Sequence, residues 1–365
     1  MKIECTTNKI KNAILQAERM TGKNLTLPVL GSILLTVSGK ILTIRATNLS
    51  IGVDIKIPVK VEEEGVVAIR GDVLSNLFSN TIKDIPVVFE TINNTLSVIL
   101  DNNKSVIKTI PHEDFPTLPV VMGDSFIIPS KKLTEGLKSV YYSASISDIK
   151  PEIGSIYIYP EDDSLVFVAT DSFRLAEKKI KLKQRLDFTG ILLPHKNVVE
   201  MIKIFDSLSE DITITINKNQ ASITCVGLYF TTRLVDGNFP DYKQIIPKEY
   251  TTTATILKQD FINSLKVSNI FSDKFNQITL NINPNKKVFD LESKNTDIGE
   301  NNTSVQSALT GDSVQVNFNY KYITDSFQSI NTDSLTLLFH GSSKPTIIKP
   351  VGDTTFMYLV MPMHK

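Results

Sequence analysis

Hydrophobic positions in this chain switch between a helical period and a strand period, and the switching recurs three times. Residues 8–20 (NKIKNAILQAERM) set Ile10, Ala13, Ile14 and Ala17 at helical spacing. The spacing returns with Leu133, Leu137, Val140, Tyr141 and Ala144, where Ser130 is placed to cap, and again with Phe261, Ser264, Leu265 and Ser268. Lysines mark each start: Lys9 and Lys11, Lys131 and Lys132, then Lys258. A second helix is expected in each unit around Val73-Leu74, Val198-Val199 and Tyr322-Ile323, at offsets of 125 and 124 residues. Short alternating segments lie between the helices. Residues 41–46 follow a Ser38-Gly39-Lys40 turn and residues 165–168 follow Glu161-Asp162-Asp163-Ser164, which predicts hairpin strands.

Short sequences repeat with the same period. Ala46-Thr47-Asn48 returns 123 residues later as Ala169-Thr170-Asp171, and more weakly as Ser293-Lys294-Asn295. Phe115-Pro116 returns 124 residues on as Phe239-Pro240. Each unit of about 120 residues therefore carries two helices among many short strands. The prediction is an α+β chain of three like domains, 1–123, 124–249 and 250–365. A length of 365 residues and a hydrophobic content of 41% suit several cores rather than one.

The chemistry-bearing residues exclude more than they suggest. Cys5 and Cys225 stand alone in strand-like contexts and read as buried thiols, with neither a disulfide framework nor a CxxC pair. Four scattered histidines (His112, His195, His340 and His364) offer no zinc signature, so no metal or cofactor is expected. Glycine-rich phosphate loops, the GxSxG elbow and kinase motifs are absent, and Asp162-Asp163 reads as a solvated turn. No enzyme is indicated. No run of 18 apolar residues reads as a membrane span, and residues 1–5 do not open a signal peptide, which points to the cytoplasm.

Charge changes the picture only when sorted by element. The chain is neutral overall, with 39 basic and 39 acidic side chains. The six expected helices carry twelve basic residues against six acidic ones, so their excess of +6 leaves −6 elsewhere. Solvated helix faces would account for this, and so would a basic helical face presented to a polyanion.

Four further segments carry a resemblance. Residues 25–35 (LTLPVLGSILL), 169–176 (ATDSFRLA), 234–247 (LVDGNFPDYKQIIP) and 358–363 (YLVMPM) resemble, in order, "TLPILG", "ATDGHRLA", "LVDGRFPDY" and "YVVMPMRL" of the bacterial DNA sliding-clamp family, the β subunit of DNA polymerase III. The likeness runs through essentially the whole chain and implies three repeated clamp domains in a head-to-tail dimer ring. Six domains, each about 35 Å across, would leave room for a duplex.

The resemblance implies a non-catalytic processivity factor. Its partners would be duplex DNA without sequence preference, a second copy of itself, the polymerase III catalytic subunit, a clamp loader and other proteins bearing clamp-binding linear motifs. It implies a peptide pocket at Ile153, Thr170, Ser172, Phe173, Arg174, Leu175, Pro240, Gln244, Ile245, Tyr322, Leu359, Val360, Met361, Pro362 and Met363. DNA-facing positions would be Lys9, Lys11, Lys23, Asn24, Lys131, Lys132, Lys138, Lys150, Lys196, Lys203, Lys258 and Lys266. The dimer would set Lys104 and Ile107 against Ile270, Phe271, Asp297 and Glu300 of the other copy. Removal of residues 359–365 is expected to abolish peptide binding and spare the fold. The chain departs from the family at Ser172-Phe173 (for Gly-His), Gln244 (for arginine), His364-Lys365 (for Arg-Leu), Asn24 beside Lys23 (for arginine), and Pro151-Glu152 (for aromatic residues). The alternative reading is a monomeric, non-specific DNA-binding protein using a basic helical face.

Overall fold

Each stretch of alternating residues becomes a strand and each stretch of helical spacing a helix, in a computed structural model that describes residues 1–22, 27–81, 83–147 and 149–363. The first repeat holds β1 (Lys2–Thr6), α1 (Thr7–Glu18), β2 (Ser32–Ser38), β3 (Ile41–Thr47), β4 (Ile51–Pro58), β5 (Lys60–Glu63), β6 (Gly65–Arg70), α2 (Gly71–Ser79), β7 (Pro86–Ile92), β8 (Thr95–Leu100) and β9 (Asn103–Lys108). The second holds β10 (Asp124–Pro129), α3 (Ser130–Val140), β11 (Ser155–Glu161), β12 (Ser164–Thr170), β13 (Arg174–Lys181), β14 (Ile191–Pro194), α4 (His195–Phe205), β15 (Asp211–Ile216), β16 (Gln220–Cys225) and β17 (Leu228–Arg233). The third holds β18 (Thr252–Leu257), α5 (Lys258–Ile270), β19 (Gln277–Asn283), β20 (Val288–Asn295), β21 (Gly299–Ser304), β22 (Ser307–Gly311), β23 (Val314–Asn319), α6 (Tyr320–Ser326), β24 (Ser334–Phe339), β25 (Thr346–Pro350) and β26 (Phe356–Val360).

The helices bury the residues their spacing picked out. α1 buries Ile10, Ala13, Ile14 and Ala17, and α5 buries Phe261, Ser264, Leu265 and Ser268. On α3, Gly136 is fixed by its neighbour, because an added Cβ would lie 2.3 Å from the Phe167 ring. The first helix of every repeat is anchored in the same way. Its first N–H donates to a carbonyl beyond the second helix: Thr7 to Ile85 (3.0 Å), Ser130 to Glu210 (3.0 Å) and Lys258 to Asp333 (2.8 Å). A lysine near the start of that helix also donates its Nζ to carbonyls that close the second helix. Lys11 reaches Ser79 and Thr81, Lys131 reaches Asp206, and Lys258 reaches Ile330. A cation at a helix C-terminus complements both the orphan carbonyls and the macrodipole. The Ser130 hydroxyl donates to the Phe205 carbonyl at 2.8 Å, so it ties the helix start to this same region.

Two of the four sheets cross from one repeat to the next. An eight-stranded antiparallel sheet runs β10-β15-β16-β17-β4-β3-β2-β6, joining the second repeat to the first where β17 pairs with β4. A nine-stranded sheet runs β14-β11-β12-β13-β26-β25-β24-β18-β22, joining the third repeat to the second where β13 pairs with β26. What remains is a five-stranded sheet, β5-β1-β7-β8-β9, and a four-stranded sheet, β21-β20-β19-β23. The compact units follow the sheets. One comprises Met1–Lys131 with Val199–Leu234, and the other Lys132–Val198 with Val235–Lys365.

Candidate partner-docking site

In the second unit, the turn between β12 and β13 is held by its own side chains. Asp171 Oδ1 accepts from the N–H groups of Phe173 (2.9 Å) and Arg174 (3.0 Å). Thr170 Oγ1 accepts from the Ser172 N–H at 3.2 Å and donates to the Arg174 carbonyl at 2.7 Å. These bonds hold Ser172 at φ +78°, a conformation that costs an L-residue energy. The turn presents Phe173 and Arg174 in fixed directions. Arg174 is bound on all sides: Nε by Asp171 (2.9 Å), Nη1 by Asp325 (2.5 Å) and Nη2 by the Tyr142 carbonyl (2.6 Å). Its guanidinium lies 4.7 Å from the Tyr322 ring centroid, and the Phe173 ring stacks on the same tyrosine at 6.3 Å.

β26 then lies along β13, pairing Val360 with Arg174 and Leu359 with Leu175. The Met361 N–H donates to the Phe173 carbonyl at 2.8 Å and carries the pairing past the strand end. Leu175, Leu359, Val166, Val168, Ile347 and Met357 form a buried cluster with Tyr242. Phe239, Ile246 and Tyr250, from the segment after residue 234, pack over it together with Met361. Tyr242 is pinned there through its phenol, which donates to Glu177 (2.5 Å) and meets the Tyr159 hydroxyl at 2.7 Å. Burial, with Glu177 beside it, raises the Tyr242 pKa far above the usual phenol range, so it remains a donor.

The first repeat builds the same turn without a cleft. Asn48 Oδ1 binds the N–H groups of Ser50 (2.9 Å) and Ile51 (3.0 Å), and Thr47 Oγ1 donates to the Ile51 carbonyl (2.8 Å), with Leu49 at φ +72°. The Arg233 N–H donates to Ser50 as that of Met361 does to Phe173. Gly52 stands where Leu175 stands in the second repeat. An added Cβ at Gly52 would lie 2.3 Å from Leu118 Cδ2, so the linker's own leucine fills that space.

Known proteins agree on the whole length. Models of the DNA polymerase III beta subunit match in order: the N-terminal domain over residues 1–119, the central domain over 127–241 and the C-terminal domain over 243–364. The chain belongs to the DNA polymerase III β subunit family. It is accordingly a DNA sliding clamp, a non-catalytic processivity subunit. The beta sliding clamp of Buchnera aphidicola subsp. Acyrthosiphon pisum is 25% identical over 367 residues, covering 99% of each chain. That of Staphylococcus aureus is 26% identical over 349 residues, covering 93% of each. The solved β subunit of Thermotoga maritima superposes with a TM-score of 0.94 at 24% identity, covering 100% of this chain and 99% of that one. A Pseudomonas aeruginosa sliding clamp solved bound to griselimycin gives 0.94 at 21% identity, covering 100% of both chains.

The pocket positions carried over from the clamp family divide by exposure. Thr170, Leu175, Leu359, Val360 and Pro362 are buried. Ile153, Arg174, Tyr322, Met361 and Met363 are half-buried, while Ser172, Phe173, Pro240, Gln244 and Ile245 are exposed. Leu359 and Val360 belong to β26 and are 1% and 0% exposed, which corrects the expectation that residues 359–365 can be removed without harm to the fold. Gln244 is turned onto its own segment, its amide donating to Asp241 at 2.8 Å.

The pocket expected from the sequence left out Asp171, Asp325 and Tyr142, which hold Arg174, and Phe239, Tyr242 and Met357, which floor the cleft. The period-two alternation of Tyr157 and Tyr159, stacked at 4.9 Å on the same face, was a readable signal.

Of the positions expected to face DNA, Lys9, Lys138, Lys150, Lys196 and Lys266 are exposed. Lys203 is exposed and paired with Glu200 at 2.7 Å. Lys11, Lys131 and Lys258 hold helix ends as described, and Lys132 donates to the Lys181 carbonyl. Lys23 and Asn24 lie outside the described residues. At the positions expected to form the dimer, Lys104, Ile270, Asp297 and Glu300 are exposed, and Ile107 and Phe271 are half-buried. Glu300 pairs with Lys294 at 3.3 Å. Val106, 60% exposed on the edge strand β9, and Ile298, 62% exposed, were not anticipated. Cys5 is buried as expected, but Cys225 is only half-buried.

Proposed function

We propose that two copies of this chain close head to tail into a ring around duplex DNA, by the same sheet extension that joins the repeats within a chain. Inside the chain, the fourth strand of one repeat pairs with the last strand of the next: β4 with β17 and β13 with β26. The corresponding strands left over are β21 and β9, and each lies at the edge of its sheet. An edge strand is a template for pairing, and these two edges belong to half-sheets of four and five strands. That pair of open half-sheets is the observation that carries the proposal.

The internal registers extend to the new junction. Gly52 faces Thr231 and Leu175 faces Leu359. By position in their hairpins, Glu300 corresponds to Gly52 and Leu175, and Val106 to Thr231 and Leu359. Val106 of one copy would therefore oppose Glu300 of the other, with Ile107 opposite Gly299 and Lys104 opposite Asn302. Lys104 then lies diagonal to Glu300, within reach of it. Ile107 shares its face with Phe271, whose ring lies 3.9 Å from where a Gly299 Cβ would stand.

The three domains are taken to run 1–123, 124–249 and 250–365. The exposed lysines meet phosphates loosely, as flexible point charges, while the closed ring prevents escape. The cleft around Leu175, Pro240 and Met361 takes linear motifs from the polymerase III catalytic subunit, a clamp loader and other clamp-binding proteins. The place of action is the cytoplasm. The test is retention on DNA. After loading onto nicked circular duplex, the protein should persist in salt that abolishes binding to linear duplex, and cutting the circle should release it. Equal retention on circular and open-ended linear DNA would favour a monomeric binder held by affinity and refute the ring.

A further inference from the structure

We infer that β22 takes an extended segment of a partner protein as an added strand, with an acidic residue of that segment beside Lys287. β22 ends the nine-stranded sheet, and β18 is its one strand neighbour among the described residues. The side turned away from β18 therefore offers a row of peptide groups to another chain. The first repeat treats the same position differently. There β5 stands between β4 and β6 as β22 stands between β21 and β23, and it pairs with β1 as β22 pairs with β18. β5 is four residues long and its pairing is interrupted by a register shift. Lys60, Glu62 and Glu63 cover it with charge, paired to Glu4, Lys2 and the N-terminal amine. All of these blunt an edge. β22 has five regularly paired residues (SALTG) and no charged side chain.

A cavity of about 650 Å³ lies at the start of this edge. Ile256, Leu257, Val305 and Ala308 give it apolar walls, and Leu257 is 52% exposed. Lys287 is exposed and is the one charged residue in the lining among the described residues. Strand addition draws affinity from main-chain hydrogen bonds and selectivity from side-chain pockets of this kind. An apolar residue over the cavity and a carboxylate near Lys287 complete the fit. Closure of the proposed ring would leave the edge open. β5 remains an edge although β17 covers β4, the strand before it, and by the same relation a second copy on β21 would leave β22 uncovered.

The test uses the full chain and a labelled octapeptide of alternating valine and threonine with one glutamate, beside a copy with lysine in place of the glutamate. Hydrogen exchange should show residues 307–311 protected by the glutamate peptide and residues 358–361 unchanged. Fluorescence anisotropy should show the glutamate peptide binding about two- to fivefold tighter than the lysine one, with the order reversed in Lys287→Glu. N-methylation of alternate peptide residues should cost at least about tenfold in one phase and little in the other, because an added edge strand uses one side of its backbone. Ala308→Glu combined with Thr310→Glu, both at exposed positions, should weaken the glutamate peptide about three- to tenfold. Absence of binding, or equal loss in both phases of methylation, overturns the inference. So does protection at residues 358–361 instead, which would put the peptide in the docking cleft. Protection of residues 307–311 that grows with protein concentration in the absence of peptide would make a second copy the occupant and overturn it as well.

Discussion

Replacing Val106 with glutamate should break the ring in a predictable amount. Val106 is 60% exposed on the open edge strand β9 and would be covered by a second copy. Full burial of a valine is worth about 1.5–3 kcal/mol, so covering the exposed part is worth about 1–2 kcal/mol. Glutamate forfeits that and sets a like charge opposite Glu300, at a further cost of about 0.2–1 kcal/mol. The loss is about 2 kcal/mol per junction. A head-to-tail dimer has two identical junctions, so the closed ring loses about 4 kcal/mol, close to a thousandfold in its dissociation constant. Sedimentation velocity across a dilution series measures this directly. Val106→Glu combined with Glu300→Lys replaces repulsion with attraction and should recover part of the loss. A Val106→Glu protein that dissociates at the same concentration as the unmodified chain would refute the register. Loss of dimer with no rescue by Glu300→Lys would point to β9 but away from Glu300 as its neighbour.

Four other outcomes follow from the structure. Lys258→Met should lower stability by about 1 kcal/mol in urea unfolding, because it uncaps a helix end, and should leave the salt dependence of DNA binding intact. Lys266→Ala should do the reverse, reducing the slope of log affinity against log salt by about one without moving the unfolding midpoint. Truncation before Met361 should weaken peptide binding and lower the thermal midpoint slightly, since it removes the Met361 N–H bond to Phe173 and the buried Pro362, whereas truncation before Leu359 should lower the midpoint much further, since it also removes buried strand residues. Burial pushes both thiols up to about 12, so at pH 8 the folded protein should react with Ellman's reagent far more slowly than the urea-unfolded chain, which should titrate two thiols.

Six helices and the hairpins beside Gly39 and Asp162 were legible because periodicity and turn chemistry are local. The sharing of sheets between repeats was not. β17 and β4 meet across more than 170 residues of sequence, and nothing in either strand's alternation names its partner. β26 hides its geometry for a different reason: all five residues are buried, so period two cannot say which side chain faces which layer. The lysines at the helix starts were visible as charge, but their tie to the end of a second helix is a tertiary contact. The turn at residues 170–174 was marked by the return of Ala46-Thr47-Asn48 as Ala169-Thr170-Asp171 and by the resemblance. Its physical basis, the Asp171 and Thr170 bonds that hold Ser172 at positive φ, became clear only in three dimensions.

The period of the sequence and the period of folding are out of phase by half a repeat. An excised segment 124–249 would contain every residue of the middle unit and yet bare two strands, β13 and β17, each with a row of unanswered peptide groups. Such a fragment should aggregate or swap strands rather than melt as a small independent domain. The middle repeat supplies four strands of the eight-stranded sheet and four of the nine-stranded one, and a substitution in β13 should be felt as loss of order in β26, far along the chain.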